Sequence, residues 1–250
     1  MKRAKIALGI YEKAFPPEIS LSEKLCLSKN AGYDFFALSI DRTEEKRARL
    51  SSPDFLIELK NAEKKSGIPV SEICLSALST FTLGNTDEKI CKKGCALLFS
   101  AIDFAQKSGT RIIQIPACAV PKNQTLSSVH HELFLNNLKA AIEYASTKAV
   151  IIALENMEDD YSGTISKCTK IIETIASPYV CLYPDVGNLT NAVNARLSDI
   201  ASEFLRGGGG KNIVCVHLKE VKPQKYGGLF YGEGIVNFPF CTKQAQIGRA

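Results

Sequence analysis

The sequence contains no apolar run of the roughly 18 to 20 residues that a membrane-spanning helix needs. Its start, from Met1 to Leu8, is basic and then apolar, which superficially suggests a signal peptide. The apolar part is short, however, and Tyr11-Glu12-Lys13 ends it without a small-residue cleavage site. We therefore expect no membrane partner and a cytoplasmic location.

A concentrated basic tract is also missing. The chain has 31 Lys and Arg against 26 Asp and Glu, a net charge of +5, and these residues are scattered. Such a distribution is typical of a solvated surface and does not predict a nucleic-acid partner. The hydrophobic fraction of 45% is ordinary for a globular protein, and 250 residues suit one α/β barrel. We predict a single domain over residues 1–250.

The nine cysteines form no Cys-x-x-Cys pair, and most lie inside apolar runs. This pattern is typical of small buried side chains in a reducing compartment. Cys91 and Cys95 have the i,i+4 spacing of one helix face, which leaves a two-thiolate metal site as a less favoured alternative to core packing.

Seven short apolar runs predict strands, and helical patterns separate them. The predicted strands are residues 6–10, 35–40, 70–75, 111–115, 150–155, 180–183 and 213–218, and the main predicted helices are residues 20–31, 53–66, 87–108, 127–146, 164–175 and 196–206. Strands joined through helices pair in parallel with right-handed crossovers. A closed barrel and an open doubly wound sheet both fit this alternation. No Gly-x-Gly-x-x-Gly follows the first strand, which favours the barrel.

The eighth strand–helix unit has no clear counterpart. Only 32 residues follow Leu218, and most of them form a loop rich in Gly and Pro. The tail from about residue 239 to 250 is atypical and contains no apolar strand. We therefore predict a TIM (β/α)₈-type barrel that is truncated before strand 8, with open edges at its first and seventh strands.

Three successive predicted strands end in residues that bind metals. Glu155 ends the fifth strand, Asp185 follows the sixth and His217 ends the seventh. Active sites of α/β barrels lie at the carboxyl ends of the strands, so these side chains should converge. Carboxylate and imidazole ligands suit Mn²⁺, Mg²⁺, Zn²⁺ or Co²⁺. The alternatives are helix-capping carboxylates and a buried histidine with protein partners.

Several segments resemble one known family. They are Leu8-Gly-Ile-Tyr-Glu-Lys13, Gly32-Tyr-Asp-Phe-Phe36, Cys74-Leu-Ser-Ala77, Ala105-Gln106, Arg111-Ile-Ile-Gln114, Leu182-Tyr-Pro-Asp-Val-Gly-Asn-Leu189, His217-Leu-Lys219 and Gly232-Glu-Gly-Ile-Val236. From about Ile6 to Phe238 the chain resembles the L-ribulose-5-phosphate 3-epimerases, also called L-xylulose-5-phosphate 3-epimerases. These belong to the xylose-isomerase-like barrels, and the hexulose-6-phosphate isomerases are nearly as similar.

The resemblance implies a barrel that holds one divalent metal ion through Glu, Asp, His and a second Glu on strand eight. Glu155, Asp185 and His217 match the first three. The implied reaction is epimerisation at C3 of a ketopentose 5-phosphate, in which the metal stabilises an enediolate and two bases work on opposite faces. Glu155 is the candidate for one of these bases, and the expected partner is a small sugar phosphate.

Three further residues are candidates for substrate binding, each with an alternative. Lys219 pairs with an anionic substrate group, pairs with a ligand carboxylate, or is solvent-exposed. Asn188 is a hydrogen-bonding partner of the substrate or a turn residue. Glu12, after the first strand, reaches a substrate hydroxyl or is a loop carboxylate. A homo-oligomer is left open.

The chain departs from the family at three places. The strand-eight Glu has no counterpart within the 250 residues. The loop from Ala77 to Phe81 lacks the His and arginines that the family tends to carry, and the segment from Pro116 to Ala119 is less polar. Two readings remain beside the epimerase: a catalytically impaired barrel remnant and a related ketose or hexulose-phosphate isomerase. A multi-zinc DNA-repair endonuclease is disfavoured, because the chain has only three histidines.

Overall fold

A parallel sheet whose strands follow chain order forms the centre of the molecule. The computed structural model describes residues 6–121, 124–207, 212–223 and 225–246. Its six strands are β1 (Gly9–Tyr11), β2 (Phe35–Ser39), β3 (Val70–Cys74), β4 (Ile112–Pro116), β5 (Ile151–Glu155) and β6 (Val180–Leu182). They pair in the order β1-β2-β3-β4-β5-β6, and every pairing is parallel. This is the α/β-barrel order, because an open doubly wound sheet would reverse its strand order part-way.

Helices follow the strands and cover the sheet. They are α1 (Leu21–Asn30), α2 (Glu44–Ala48), α3 (Pro53–Ser66), α4 (Glu88–Ser108), α5 (Ser128–Thr147), α6 (Ile165–Ile175), α7 (Val186–Ala192), α8 (Leu197–Arg206) and α9 (Phe238–Gln246). The six predicted helices are all present, and each of their ends lies within one residue of its predicted position. Among the described residues, no helix is long and apolar enough to cross a membrane.

Local signals explain where the helices begin and end. The Ser52 side chain accepts a hydrogen bond from the Phe55 amide at the start of α3, and Pro53 occupies the first helical position. Gly67 ends this helix with φ of +69°, a conformation that a side chain would strain. Asp87 caps α4 in the same way through two backbone amides.

The core lies between the sheet and the surrounding helices. Strand residues such as Ile113 and Ile152 are fully buried, and so are helix residues such as Leu59, Leu98 and Leu138. Because the strands are covered, they read as continuous apolar runs without alternation. At the β1 edge of the sheet the covering is incomplete, and Ile6 and Leu8 are 57% and 50% exposed. Among the described residues β1 pairs only with β2, so it is an edge strand, as expected.

The prediction of a continuous seventh strand over residues 213–218 is wrong. This segment runs beside β6, but only the isolated bridges Leu182↔Ile213 and Asp185↔His217 form. Pro184 stands where a regular ladder needs an N–H donor toward residues 213–218, and proline has none. The ladder is therefore interrupted between its two bridges, although the segment keeps its place next to β6.

The C-terminal segment is helical as far as Gln246. Phe238–Gln246 forms α9, which packs against α8 and buries Cys241 completely. Phe238, Cys241 and Ala245 recur at the three- and four-residue spacing of a helix face, a pattern that a search for strands overlooks. The described residues contain no eighth strand. Residues 247–250 of the atypical tail lie outside the described residues.

Candidate metal centre

Glu155, Asp185 and His217 meet at the carboxyl end of the sheet. One ligand atom from each residue lies within 4.8 Å of the others. His217 Nδ1 is 2.8 Å from Glu155 Oε1 and 3.6 Å from Asp185 Oδ2. The convergence expected from the strand ends is therefore present. Within the described ranges, this is the one group of three or more His, Cys, Asp and Glu side chains with such geometry. Cys91 and Cys95 belong to no such group, and Cys91 Sγ donates to the Leu83 carbonyl instead.

Asp185 has two carboxylate oxygens with different surroundings. Oδ1 accepts the Asn188 amide and so caps α7. Oδ2 is fully buried and has no hydrogen-bond partner among the described residues, although the Lys219 ammonium lies 3.1 Å away as an ion pair. Burial raises the pKa of Asp185, against the lowering effect of the His217 and Lys219 charges. An unsatisfied carboxylate oxygen in a buried site is costly, which is the usual setting of a metal ligand.

Two tyrosines hold the His217 ring. Tyr11 and Tyr183 meet it edge-on, with ring centroids 6.0 Å and 6.2 Å away. Burial alone would lower the pKa of His217, but the hydrogen bond and charge of Glu155, with the charge of Asp185, raise it to about 9. The two carboxylates therefore stabilise a positive charge at the position of the imidazole.

Glu155 is oriented by a residue that the sequence analysis did not select. The Gln114 side-chain amide donates to Glu155 Oε2, while the Gln114 carbonyl accepts from the Cys74 thiol. Burial raises the pKa of this thiol to about 12, so it stays protonated and can donate. Gln114 is 3% exposed. One signal for this role was present in the sequence, because Gln114 is a polar residue inside the apolar run of the fourth strand.

Lys219 and Asn188 lie together beside the three candidate ligands. Lys219 Nζ donates to Asn188 Oδ1 over 2.6 Å and is 3.6 Å from Glu158 Oε1. The Asn188 amide nitrogen donates to the Asn156 carbonyl over 2.8 Å, so both ends of this buried side chain have protein partners. Lys219 therefore pairs with a candidate ligand carboxylate, one of the alternatives given above. Contact with a substrate remains a prediction for both residues.

Glu12 lies in an ion cluster, and its contact with a substrate hydroxyl stays a prediction. The side chain is 2% exposed. Oε2 accepts the Ser39 amide over 2.9 Å, and Arg49 contacts both oxygens. Lys46 donates to Oε1, and Lys24 Nζ is 3.8 Å from the same oxygen. Burial opposes ionisation, but the Arg49 charge and the Lys46 hydrogen bond hold the pKa of Glu12 below its ordinary value.

A cavity of about 250 Å³ opens beside the candidate metal centre. Its lining residues are Ser79, Cys118, Val120, Met157, Glu158 and Asp159. They follow β3, β4 and β5, so the cavity lies at the carboxyl edge of the sheet. On the opposite side, Gly187 lets α7 approach the 217–221 segment, because a Cβ there would be 2.6 Å from the Lys219 carbonyl.

The three candidate ligands fit a divalent cation by two observations. The donors are hard oxygen and nitrogen atoms, which suit Mg²⁺, Mn²⁺, Zn²⁺ and Co²⁺. One of those oxygens, Asp185 Oδ2, is buried without a hydrogen bond.

Comparison with known proteins places the chain in a family. The model of the xylose isomerase-like TIM barrel matches residues 26–246. The chain belongs to that family. A curated member, the L-ribulose-5-phosphate 3-epimerase UlaE of Escherichia coli O139:H28, is 36% identical over 242 residues. The match covers 96% of this chain and 83% of UlaE. The family confirms the barrel fold, and UlaE confirms the resemblance to the 3-epimerases.

Two solved structures are similar to this chain in shape. The 3-keto-D-glucoside 4-epimerase YcjR of E. coli superposes with a TM-score of 0.75 at 20% identity, covering 97% of this chain and 88% of YcjR. A D-tagatose 3-epimerase-like protein superposes with a TM-score of 0.79 at 17% identity, covering 96% and 86%. At these identities the similarity concerns the fold. The prediction of an isomerase of the carbohydrate-epimerase class is confirmed by UlaE.

Proposed function

We propose that this protein catalyses the metal-dependent epimerisation, at C3, of a ketopentose 5-phosphate such as L-ribulose 5-phosphate or L-xylulose 5-phosphate. The observation that carries the proposal is the buried group of Glu155, Asp185 and His217 with its unsatisfied Asp185 oxygen. The substrate class comes from UlaE, which shares 36% of its residues over almost the whole chain. We also propose that the enzyme works in the cytoplasm.

The chemistry requires removal of a proton from carbon next to a ketone. Glu155, Asp185 and His217 would hold a divalent ion, which would supply Lewis-acid stabilisation of the negative charge that develops. Glu155 takes the C3 proton, and the C–H electron pair becomes the C2–C3 double bond while the carbonyl oxygen gains charge. Gln114 fixes Oε2 of that carboxylate. Return of a proton to the opposite face inverts C3 and needs a second acid, the role that the resemblance gives to a strand-eight Glu.

A related ketose-phosphate isomerase is the second candidate. Moving a proton between neighbouring carbons on one face of an enediol needs only one base. Glu155 is the candidate for that base, with Oε2 fixed by Gln114 and Oε1 lying 2.8 Å from His217 Nδ1. A one-base reaction would therefore suit the described residues without a further carboxylate.

Deuterium exchange from solvent distinguishes these reactions. L-Ribulose 5-phosphate is incubated in D₂O with the protein and Mn²⁺, the metal is chelated, and the sugar is examined by proton NMR. Deuterium at C3 with formation of L-xylulose 5-phosphate supports the epimerase, and deuterium at C1 with an aldose product supports the isomerase. No exchange from a folded, metal-loaded sample contradicts both and indicates an inactive remnant.

Substitutions assign the roles. Glu155→Gln should abolish exchange in a protein that keeps its far-ultraviolet circular dichroism, whereas Glu173→Gln, on the exposed face of α6, should leave exchange unchanged. Asp185→Asn should weaken Mn²⁺ binding measured by calorimetry, since an amide is a poorer ligand than a carboxylate. Normal exchange in Glu155→Gln would remove it as the base, and normal Mn²⁺ affinity in Asp185→Asn would remove it as a ligand.

A further inference from the structure

The mouth of the candidate site is divided by charge. On the side of β1 and β2, the cations Lys13, Lys24, Lys46 and Arg49 contact two carboxylates, Glu12 and Asp41. On the side of β3 to β5, the cavity is lined by Glu158 and Asp159. A doubly charged phosphate is repelled by the second side and attracted by the first. A sugar phosphate is thus expected to lie with its phosphate toward β1 and β2.

Most of the cations near this mouth are committed to protein partners. Lys24, Lys46 and Arg49 all contact Glu12, and their side chains are at most 18% exposed. Lys219 is held by Asp185 and Asn188 at 3.1 Å and 2.6 Å.

Lys13 differs from these cations in its exposure and in the length of its contacts. Its side chain is 46% exposed, and its ammonium lies 3.6 Å from Asp41 Oδ2 and 3.4 Å from Ser76 Oγ. Asp41 Oδ1 meanwhile accepts both the amide and the hydroxyl of Thr43. The Lys13 ammonium is therefore free to exchange long contacts for a shorter one with an anion.

We propose that Lys13 binds the phosphate group of the substrate, assisted by the Ser76 hydroxyl, while the carbonyl end of the sugar lies at Glu155, Asp185 and His217. This inference rests on the proposed function and deepens it by naming a residue that selects phosphorylated sugars. The loop after β3 carries Ala77, Leu78 and Ser79 without a basic residue, so Lys13 supplies the positive charge at this point of the mouth.

A substrate of five carbons is long enough to reach from Lys13 to the candidate ligands. The Lys13 ammonium is 5.8 Å from the centre of the Tyr11 ring, and that ring is 6.0 Å from the His217 ring, so at most about 12 Å separates ammonium and imidazole. Five bonds separate the carbonyl carbon of a ketopentose 5-phosphate from its phosphorus, a reach of roughly 6 Å at about 1.2 Å per bond. Polar contacts of about 2.8 Å at each end extend this to between roughly 11 and 12 Å.

Binding measurements test Lys13 separately from catalysis. Calorimetry on the full-length, Mn²⁺-loaded protein gives the affinities for L-ribulose 5-phosphate, L-ribulose and inorganic phosphate. Lys13→Met should lower the affinities for L-ribulose 5-phosphate and inorganic phosphate at least about tenfold, because a charge-assisted hydrogen bond is lost. The affinity for L-ribulose should stay unchanged. Lys13→Arg should restore most of the affinity. Lys64→Met, an exposed lysine on α3, is the matched control and should change none of the three.

Each other result overturns the inference. If Lys13→Met lowered the affinities for L-ribulose and L-ribulose 5-phosphate equally, Lys13 would only maintain the shape of the mouth. Unchanged affinity for L-ribulose 5-phosphate would place the phosphate elsewhere. The proposed function can fail separately. If the wild-type protein binds phosphate through Lys13 but exchanges no deuterium, the phosphate site is supported and the epimerase activity is contradicted.

Discussion

Replacing Glu12 with glutamine should destabilise the protein strongly. The glutamine can still accept the Ser39 amide, but it removes the charge that balances Lys24, Lys46 and Arg49. Lys24 is the most affected, because its side chain is only 5% exposed and cannot easily reach water. Breaking a buried ion pair from one side costs about 3 to 5 kcal/mol, and the retained hydrogen bond favours the lower end. For a chain of this size, about 3 kcal/mol corresponds to a fall in Tm of roughly 6 to 12 °C.

The pH dependence of this loss follows from the pKa of Glu12. Arg49 and Lys46 outweigh burial and lower it in the folded protein, so the unfolded chain binds the proton more tightly. The stabilisation by ionised Glu12 is therefore complete above its ordinary pKa of 4.5 and is lost as the pH falls through the lower, folded value. The stability difference between wild type and Glu12→Gln should be constant from pH 7 to about 5 and shrink below.

Urea denaturation followed by circular dichroism measures both effects. Glu18→Gln, an exposed carboxylate that follows the first strand, is the control and should shift the midpoint little. A loss below 1 kcal/mol in Glu12→Gln would refute the reasoning from the ion cluster. If such a stable variant also bound sugar phosphate poorly, Glu12 would be a substrate-binding residue, as the sequence analysis expected.

Two further substitutions test contacts around the site. Gln114→Leu removes the donor that fixes Glu155 Oε2, and it should weaken Mn²⁺ binding about 10- to 100-fold, as loss of a supporting hydrogen bond does at metal sites. Glu220→Gln should speed amide hydrogen exchange at Gly232 and Val236 at least about tenfold. The buried Glu220 carboxylate accepts both amides and holds the loop that contains them, and its charge strengthens these bonds.

Each of these two variants has its own control. Gln106→Leu, on the exposed face of α4, should leave Mn²⁺ affinity unchanged, and an equally normal affinity in Gln114→Leu would remove Gln114 as a positioning residue. Glu132→Gln, exposed on α5, should not alter exchange in the loop. Slow exchange at Gly232 and Val236 in Glu220→Gln would show that other contacts hold this segment.

The sequence predicted most of the fold because strand and helix signals agree with the tertiary packing. The apolar runs before Glu155 and Asp185 are buried strands, and caps such as Ser52 and Asp87 mark helix starts. The three candidate ligands were predictable for a geometric reason. Parallel strands in chain order bring their carboxyl ends to one edge, so residues that end neighbouring strands must meet.

The contacts of Gln114, Lys13 and Glu12 were not predictable from spacing. Each depends on which way a side chain turns and on what a distant element presents to it. Lys46 and Arg49 contact Glu12 although they lie more than 30 residues further along the chain. They belong to α2 and to the short turn after it, which lie between β2 and β3. A single sequence carries no signal for such pairing, because charged residues are common in loops and most of them remain in water.

The interruption of the seventh strand and the candidate metal site have one local cause. Pro184 cannot donate to residues 213–218, and the chain turns after it into α7 instead of continuing as β6. The turn leaves Asp185 as the helix cap, which fixes Oδ1 on the Asn188 amide and directs Oδ2 into the buried space beside His217. His217 is held there because its amide donates to the Pro184 carbonyl while its own carbonyl accepts the Val186 amide. Had β6 continued as a regular strand past Asp185, that residue would cap no helix, and its Oδ2 would not be directed into this space.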